Sequence, residues 1–158
     1  MTNRSQPTSR ARPPRTSEGR FRHILVPTDL TERTEKALQF ATELASRDRA
    51  HVTLIHVIET IPGLTFDEAK GFYQRLERKA RKPMDALTRR AGEGGMTATP
   101  AVVYGRRAEE IVLYAAAHAV DLIVLASHCV KPSRIGRDWG TISYKVGILA
   151  QCPVLLVK

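Results

Sequence analysis

The chain is short of several things, and each shortage removes a class of protein. Two cysteines in 158 residues, Cys129 and Cys152, do not make the disulfide framework of a small exported domain. Both read as reduced thiols: Cys152 as a small hydrophobe ahead of an apolar strand, Cys129 in a basic loop. The longest apolar stretches, at 121–126 and 154–157, fall far below the roughly 20 residues of a membrane-spanning helix. The N-terminus has no apolar segment that could act as a secretory signal, so the cytoplasm is the expected location. There is no GxGxxG after the first strand and no GxxxxGK[ST], which disfavours a dinucleotide dehydrogenase and a P-loop enzyme. The five histidines show no metal-ligand spacing, and no Ser-His-Asp or Cys-His arrangement is visible. Neither a metal site nor a catalytic residue is expected.

What the chain does have is positive charge. The formal net charge is +9, and residues 1–20 hold five arginines against one glutamate. That segment is rich in Arg, Pro, Ser and Thr and has no hydrophobic period, so it is expected to be a disordered basic tail. It carries no aromatic residue for base stacking and no nucleic-acid motif, which counts against nucleic acid as a partner. Residues 21–158 have the length and apolar content of one folded domain with a real core.

Hydrophobic periodicity divides that domain into nine segments. Residues 21–27 form a short apolar run closed by Pro27, the mark of a buried strand. A helix is expected from Thr31, as N-cap, to Asp48, with Ala37, Phe40, Ala41, Leu44 and Ala45 on one face. Residues 51–58 read as a second strand. Residues 66–91 read as a long polar helix anchored by Phe72, Leu76 and Leu87 and broken or kinked at Pro83. A strand at 100–104, a helix at 108–119, a buried strand at 121–126, a helix at 141–150 and a strand at 153–157 complete the series. Strands alternating with helices predict a doubly wound parallel α/β sheet covered on both faces. In such sheets ligands bind beyond the carboxyl ends of the strands, at the topological switch point.

Two loops therefore hold the candidate chemistry. The first strand runs out into Pro27, Thr28 and Asp29. The fourth runs out through Leu125, Ala126, Ser127, His128 and Cys129 into a basic stretch with Lys131, Arg134 and Arg137, then Gly140 and Thr141 at a helix start. A Gly-Thr pair at a helix N-terminus offers free amides, a hydroxyl and the positive dipole end, all suited to phosphate oxygens. Simpler roles exist. Asp29 with Glu32 has the spacing of a capping box. His56 reads as a core histidine with a satisfied ring, and Arg106, Arg107, Glu109 and Glu110 as a solvated helix start.

ILVPTD at 24–29, TLIHVIE at 53–59, GRRAEEI at 105–111, DLIVLASH at 121–128, and GT at 140–141 followed by CPVLLVK at 152–158 together resemble the universal stress protein family. The resemblance spans residues 21–158. It implies a Rossmann-like, adenine nucleotide alpha hydrolase-like fold with five parallel strands in the order 3-2-1-4-5. It also implies ATP, with Mg2+ accompanying its phosphates, as the ligand. Carried across, the pattern places Asp29 at the ribose with Pro27 and Thr28 lining the site. Val57 meets the adenine through its backbone. Gly140, Thr141 and the adjoining Ile142 lie at the phosphates, where Lys131, Arg134 and Arg137 add charge. Ala126 and Cys129 stand at the first two glycines of the family's G-x2-G-x9-G-[S/T] pattern, and one extra residue separates Cys129 from Gly140. A non-glycine residue at a positive φ costs about 1–2 kcal/mol. Two functions follow. One is a stress-response regulator that binds ATP or a related adenine nucleotide and hydrolyses it slowly at most. The other is a nucleotide-free dimeric interaction protein of the same fold. In both, the apolar last strand at the sheet edge is expected to pair with its twin in a homodimer.

Overall fold

The computed structural model describes residues 20–128 and 141–158. In chain order the elements are β1 (His23–Pro27), α1 (Arg33–Asp48), β2 (His51–Glu59), α2 (Lys70–Gly92), β3 (Ala98–Gly105), α3 (Arg107–Ala117), β4 (Leu122–Ala126), α4 (Ile142–Leu149) and β5 (Val154–Val157). All strand pairs are parallel, and the sheet runs β3-β2-β1-β4-β5, as expected. β1 is central, with His23 opposite His51 on one side and Ile24 opposite Leu122 on the other. Of the expected tail at 1–20, residues 1–19 lie outside the described residues.

The period of two along each strand sorts the core into two layers. Ile24 and Val26 of β1, with Val52 and Val124, meet Ala37, Ala41 and Ala45 of α1. Leu25, on the opposite face, joins Ile55, Ile123 and Leu125 against Ala108, Ile111 and Ala115 of α3 and Val146 of α4. α2 lies beside α1, where Met84 and Ala91 pack on Leu38 and Leu54. Small alanines on α1 and α3 let both helices approach the sheet closely.

Several local expectations change. α1 begins at Arg33 rather than at Thr31, and Glu32 at its N-cap makes no capping bond. The turn before it is held by Asp29 instead. α2 begins at Lys70, behind a turn closed by Thr65 and Glu68: the Thr65 amide and hydroxyl donate to Glu68 Oε2 at 2.8 and 2.7 Å. Pro83 neither ends nor divides α2. Its ring lies on the exposed face, and the carbonyl it leaves unpaired belongs to Lys79, also exposed, so solvent can satisfy it. The buried anchors of α2 are Tyr73, Ala80, Met84 and Ala91, with Leu76 and Leu87 half-buried, while Phe72 points outward. On α4 only Val146 is fully buried; Ile148 and Leu149 are exposed because β5, beneath it, is the last strand of the sheet. Cys152 is half-buried against the Leu25 layer, and burial pushes its thiol pKa up.

Candidate functional site

At the carboxyl edge of β1 the ladder continues for one more bond, from the Thr28 amide to the Ile55 carbonyl at 2.9 Å. The chain then turns sharply. Leu30 takes a left-handed conformation, φ 63°, costly for a side chain with a branched body. Two things hold it there. The Leu30 amide donates to Thr28 Oγ1 at 2.9 Å, and the Leu30 side chain packs on the Leu38–Leu54–Met84 cluster. Thr28 is buried, and its hydroxyl also bonds the Thr34 hydroxyl at 2.9 Å, tying the strand end to the first turn of α1.

Asp29 projects from this turn. Its Oδ1 accepts from the Thr31 amide at 3.0 Å and the Thr31 hydroxyl at 2.6 Å, and Oδ2 accepts from Arg33 Nη2 at 3.2 Å. Partial burial pushes the carboxyl pKa up, but the Thr31 bonds and the Arg33 charge outweigh it and hold Asp29 below the ordinary aspartate range. It is an anionic acceptor at neutral pH. The capping box expected of Asp29 and Glu32 is absent: Asp29 holds the turn ahead of α1 through Thr31, and Glu32 stands at the N-cap without a capping bond.

β4 supplies the facing wall. Ala126 is its last residue, and the Ser127 amide donates to the Val157 carbonyl at 2.7 Å, extending the β4–β5 ladder. Ala126 is not among the residues of positive φ, so a methyl in place of the family's glycine brings no backbone strain at this position. On the far side Thr141 caps α4: its hydroxyl accepts from the Tyr144 amide at 3.3 Å.

Between these walls lies a cavity of about 190 Å³. Of the residues expected at the site, Pro27, Thr28, Asp29, Val57, Leu125, Ala126, Ser127, His128 and Ile142 all line it. Thr141 adjoins the lining but spends its hydroxyl on its own helix. Cys129, Lys131, Arg134, Arg137 and Gly140 lie outside the described residues. His56, adjacent to Val57, bonds the Thr28 carbonyl through Nδ1 at 3.0 Å, the satisfied core role expected of it.

Six lining residues were not anticipated: Arg33, Thr34, Ile55, Arg107, Ile111 and Ser143. Arg33 and Thr34 sit four and five residues beyond Asp29, one helical turn, a spacing that was available as a signal. Arg107, expected in a solvated helix start, keeps a partly exposed side chain; it also bonds Glu59 at 2.6 Å through Nη2 and reaches the cavity, because β2 and α3 end and begin at the same sheet edge.

The cavity is chemically divided. Ile55, Val57, Ile111 and Leu125, all at most 5% exposed, make an apolar end. Asp29, Arg33, Ser127 and Ser143 make a polar one. The apolar part suits a flat heterocycle and the polar part a sugar and its anionic substituent. Among the described residues no group of three His, Cys, Asp or Glu could hold a metal ion.

The Universal stress protein family model matches residues 20–158. The chain belongs to the universal stress protein family. Universal stress protein YxiE of Bacillus subtilis (strain 168) is 28% identical over 151 residues, covering 87% of this chain and 99% of the relative. Among solved structures, universal stress protein UspA from Lactobacillus plantarum superposes with TM-score 0.70 at 26% identity, covering 88% of this chain and 99% of that one. Two others share the fold at TM-score 0.64: a universal stress protein in complex with cAMP, at 20% identity, and the Archaeoglobus fulgidus protein in complex with dAMP, at 18%. Each covers 87% of this chain; the chain spans 97% and 98% of theirs. The expected family and sheet order are thus both observed.

Proposed function

We propose that this universal stress protein is a cytoplasmic stress-response regulator that binds an adenine nucleotide, ATP in the first instance, in the cleft between β1 and β4. The divided cavity carries the reading: apolar walls from Ile55, Val57, Ile111 and Leu125 at one end, Asp29 and the α4 N-terminus at the other. Two proteins of the same fold are described in complex with adenine nucleotides, cAMP and dAMP, which supports that ligand class. The adenine lies in the apolar end against the Val57 backbone, Asp29 takes a ribose hydroxyl, and the phosphates approach Ser143 and the first amides of α4. Mg2+ travels with the phosphates. Any hydrolysis is slow, since Asp29 already accepts four hydrogen bonds and has little basicity left.

The test is thermal unfolding with millimolar ATP. A ligand at about 100 times its Kd stabilises by about 2.7 kcal/mol. Ser143→Asp is the control. An acid in the first turn of α4 favours the helix, so the fold survives, but its charge opposes phosphate. A shift in the natural protein that the variant loses supports the reading; no shift in the natural protein overturns it.

Dimerisation, the part of the second reading that does not exclude nucleotide, is favoured by a separate observation. Leu155 and Leu156 on edge strand β5, and Ile148 and Leu149 on α4, are exposed together at one side of the sheet. We infer that β5 pairs with its twin across a twofold axis and that both activities coexist. Light scattering at micromolar concentration should give a dimer, and Leu156→Asp a monomer; a monomeric natural protein defeats the inference.

A further inference from the structure

The outer face of α2 is a row of positive charge with one exposed carboxylate, Asp85, at its edge. The helix carries eight Lys or Arg against two carboxylates, Glu77 and Asp85, and all eight cations are exposed. Glu77 is engaged by the Tyr104 hydroxyl at 2.6 Å. At 3.6 residues per turn, Arg75, Arg78, Lys82 and Arg89 fall within a sector about 60° wide. That sector is opposite the buried row of Tyr73, Ala80, Met84 and Ala91, so it faces straight out from the sheet. Arg90, off the row, is bound by Glu35 of α1. Among the described residues, none of Arg75, Arg78, Lys82 and Arg89 has a carboxylate within salt-bridge reach; Arg75 stands over the Phe72 ring at 6.0 Å. Like charges three and four residues apart repel along a helix, so the row opposes the fold it sits on.

We propose that this face of α2 binds the phosphate backbone of duplex nucleic acid without reading sequence. Arg75 and Arg89 are fourteen positions apart, about 21 Å along the helix, and that length of duplex axis presents about 12 phosphates. Three of the four cations are arginines, whose planar fork matches phosphate oxygens. A lipid surface fits less well. The apolar side of α2 is committed to the core, where Tyr73 and Met84 are at most 1% exposed, which leaves the outward side only Phe72, already under Arg75, to insert among acyl chains. Single-stranded nucleic acid fits less well too, because α2 offers no outward aromatic platform beyond Phe72, which already carries Arg75. The tail alone made no case for nucleic acid; the aligned row appears only once α2 is seen to be continuous through Pro83.

The test uses the full chain and a labelled random-sequence duplex of about 20 base pairs, followed by anisotropy from low to physiological salt. Four neutralised phosphates give a log–log salt slope near −3.6 from this face, added to whatever residues 1–20 contribute. Arg78→Glu with Lys82→Glu and Arg89→Glu should weaken binding at least tenfold and flatten the slope by about 3, with unchanged circular dichroism. Arg78→Gln with Lys82→Gln and Arg89→Gln should give the same direction with a smaller loss and keeps the test valid if the reversed form unfolds. A slope that falls only when residues 1–20 are removed overturns the proposal. So does tighter capture by anionic phosphatidylserine vesicles than by the duplex at equal salt.

Discussion

Thr28 is the residue on which the shape of the site turns, and replacing it with valine tests that. Valine keeps the volume and the buried methyl but removes Oγ1, which accepts from the Leu30 amide and bonds Thr34 Oγ1, both at 2.9 Å. Thr34 retains a long contact to Asp29 at 3.4 Å; the Leu30 amide has no other acceptor among its described hydrogen bonds. Stranding a buried donor costs about 1–3 kcal/mol, and this one is half-buried, which places it toward the lower end. The residue that loses its bond is the one held at φ 63°, so the lost bond also releases the turn that aims Asp29. Thr28→Val should therefore cost about 1–3 kcal/mol in urea unfolding and lower the melting temperature by roughly 2–4 °C per kcal/mol. It should also weaken nucleotide binding more than stability alone explains, since the carboxylate is no longer fixed. Thr28→Ser keeps the oxygen and loses one methyl, worth about 0.8 kcal/mol. Its unfolding midpoint should lie closer to the natural protein than that of Thr28→Val, and it should restore most of the binding. If serine proves more damaging than valine, the methyl rather than the hydroxyl secures the turn, and the reasoning fails.

Pro83→Ala should stabilise the protein by about 1–2 kcal/mol, because it restores an amide donor to an unbroken helix interior; an unchanged or lower urea midpoint would show that the proline is accommodated without cost. Gly105→Ala should lose about 1–3 kcal/mol, because Gly105 sits at φ 149° and an added Cβ meets the Glu110 side chain. Combining it with Glu110→Ala should recover only the contact part; complete recovery would deny any backbone strain. His51 is held below the ordinary histidine pKa by burial and then by the His23 ring stacked 4.2 Å away. The unfolded chain therefore takes up the proton first, near pH 6.5, so stability should be full above that pH and decline as pH falls toward the lowered folded value. His51→Gln should flatten the profile between pH 7.5 and 5, and an equally steep loss in that variant would assign the effect elsewhere.

The sequence alone determined the scaffold. Nine segments with the right periods and lengths allow one alternation of strands and helices, hence a parallel doubly wound sheet, and the family resemblance implied the order 3-2-1-4-5. It also determined which two loops face the cleft, since Pro27-Thr28-Asp29 and Ala126-Ser127-His128 end the two strands at the switch point. Ordinary local chemistry was legible where it was short-ranged, as with Thr141 capping α4. Tertiary structure decided the rest. Arg107 and Ile111 join the cavity because α3 starts where β2 ends, a neighbourhood that spacing along the chain does not reveal. Pro83 stays inside a helix because its missing bond faces solvent while Met84, the next residue, is locked in the core. Leu30 holds a left-handed turn because Leu54 and Met84 reward its side chain for being there. In each case a contact between residues far apart in the chain outweighs a local preference of about 1–3 kcal/mol, and only the folded arrangement shows which contact that is.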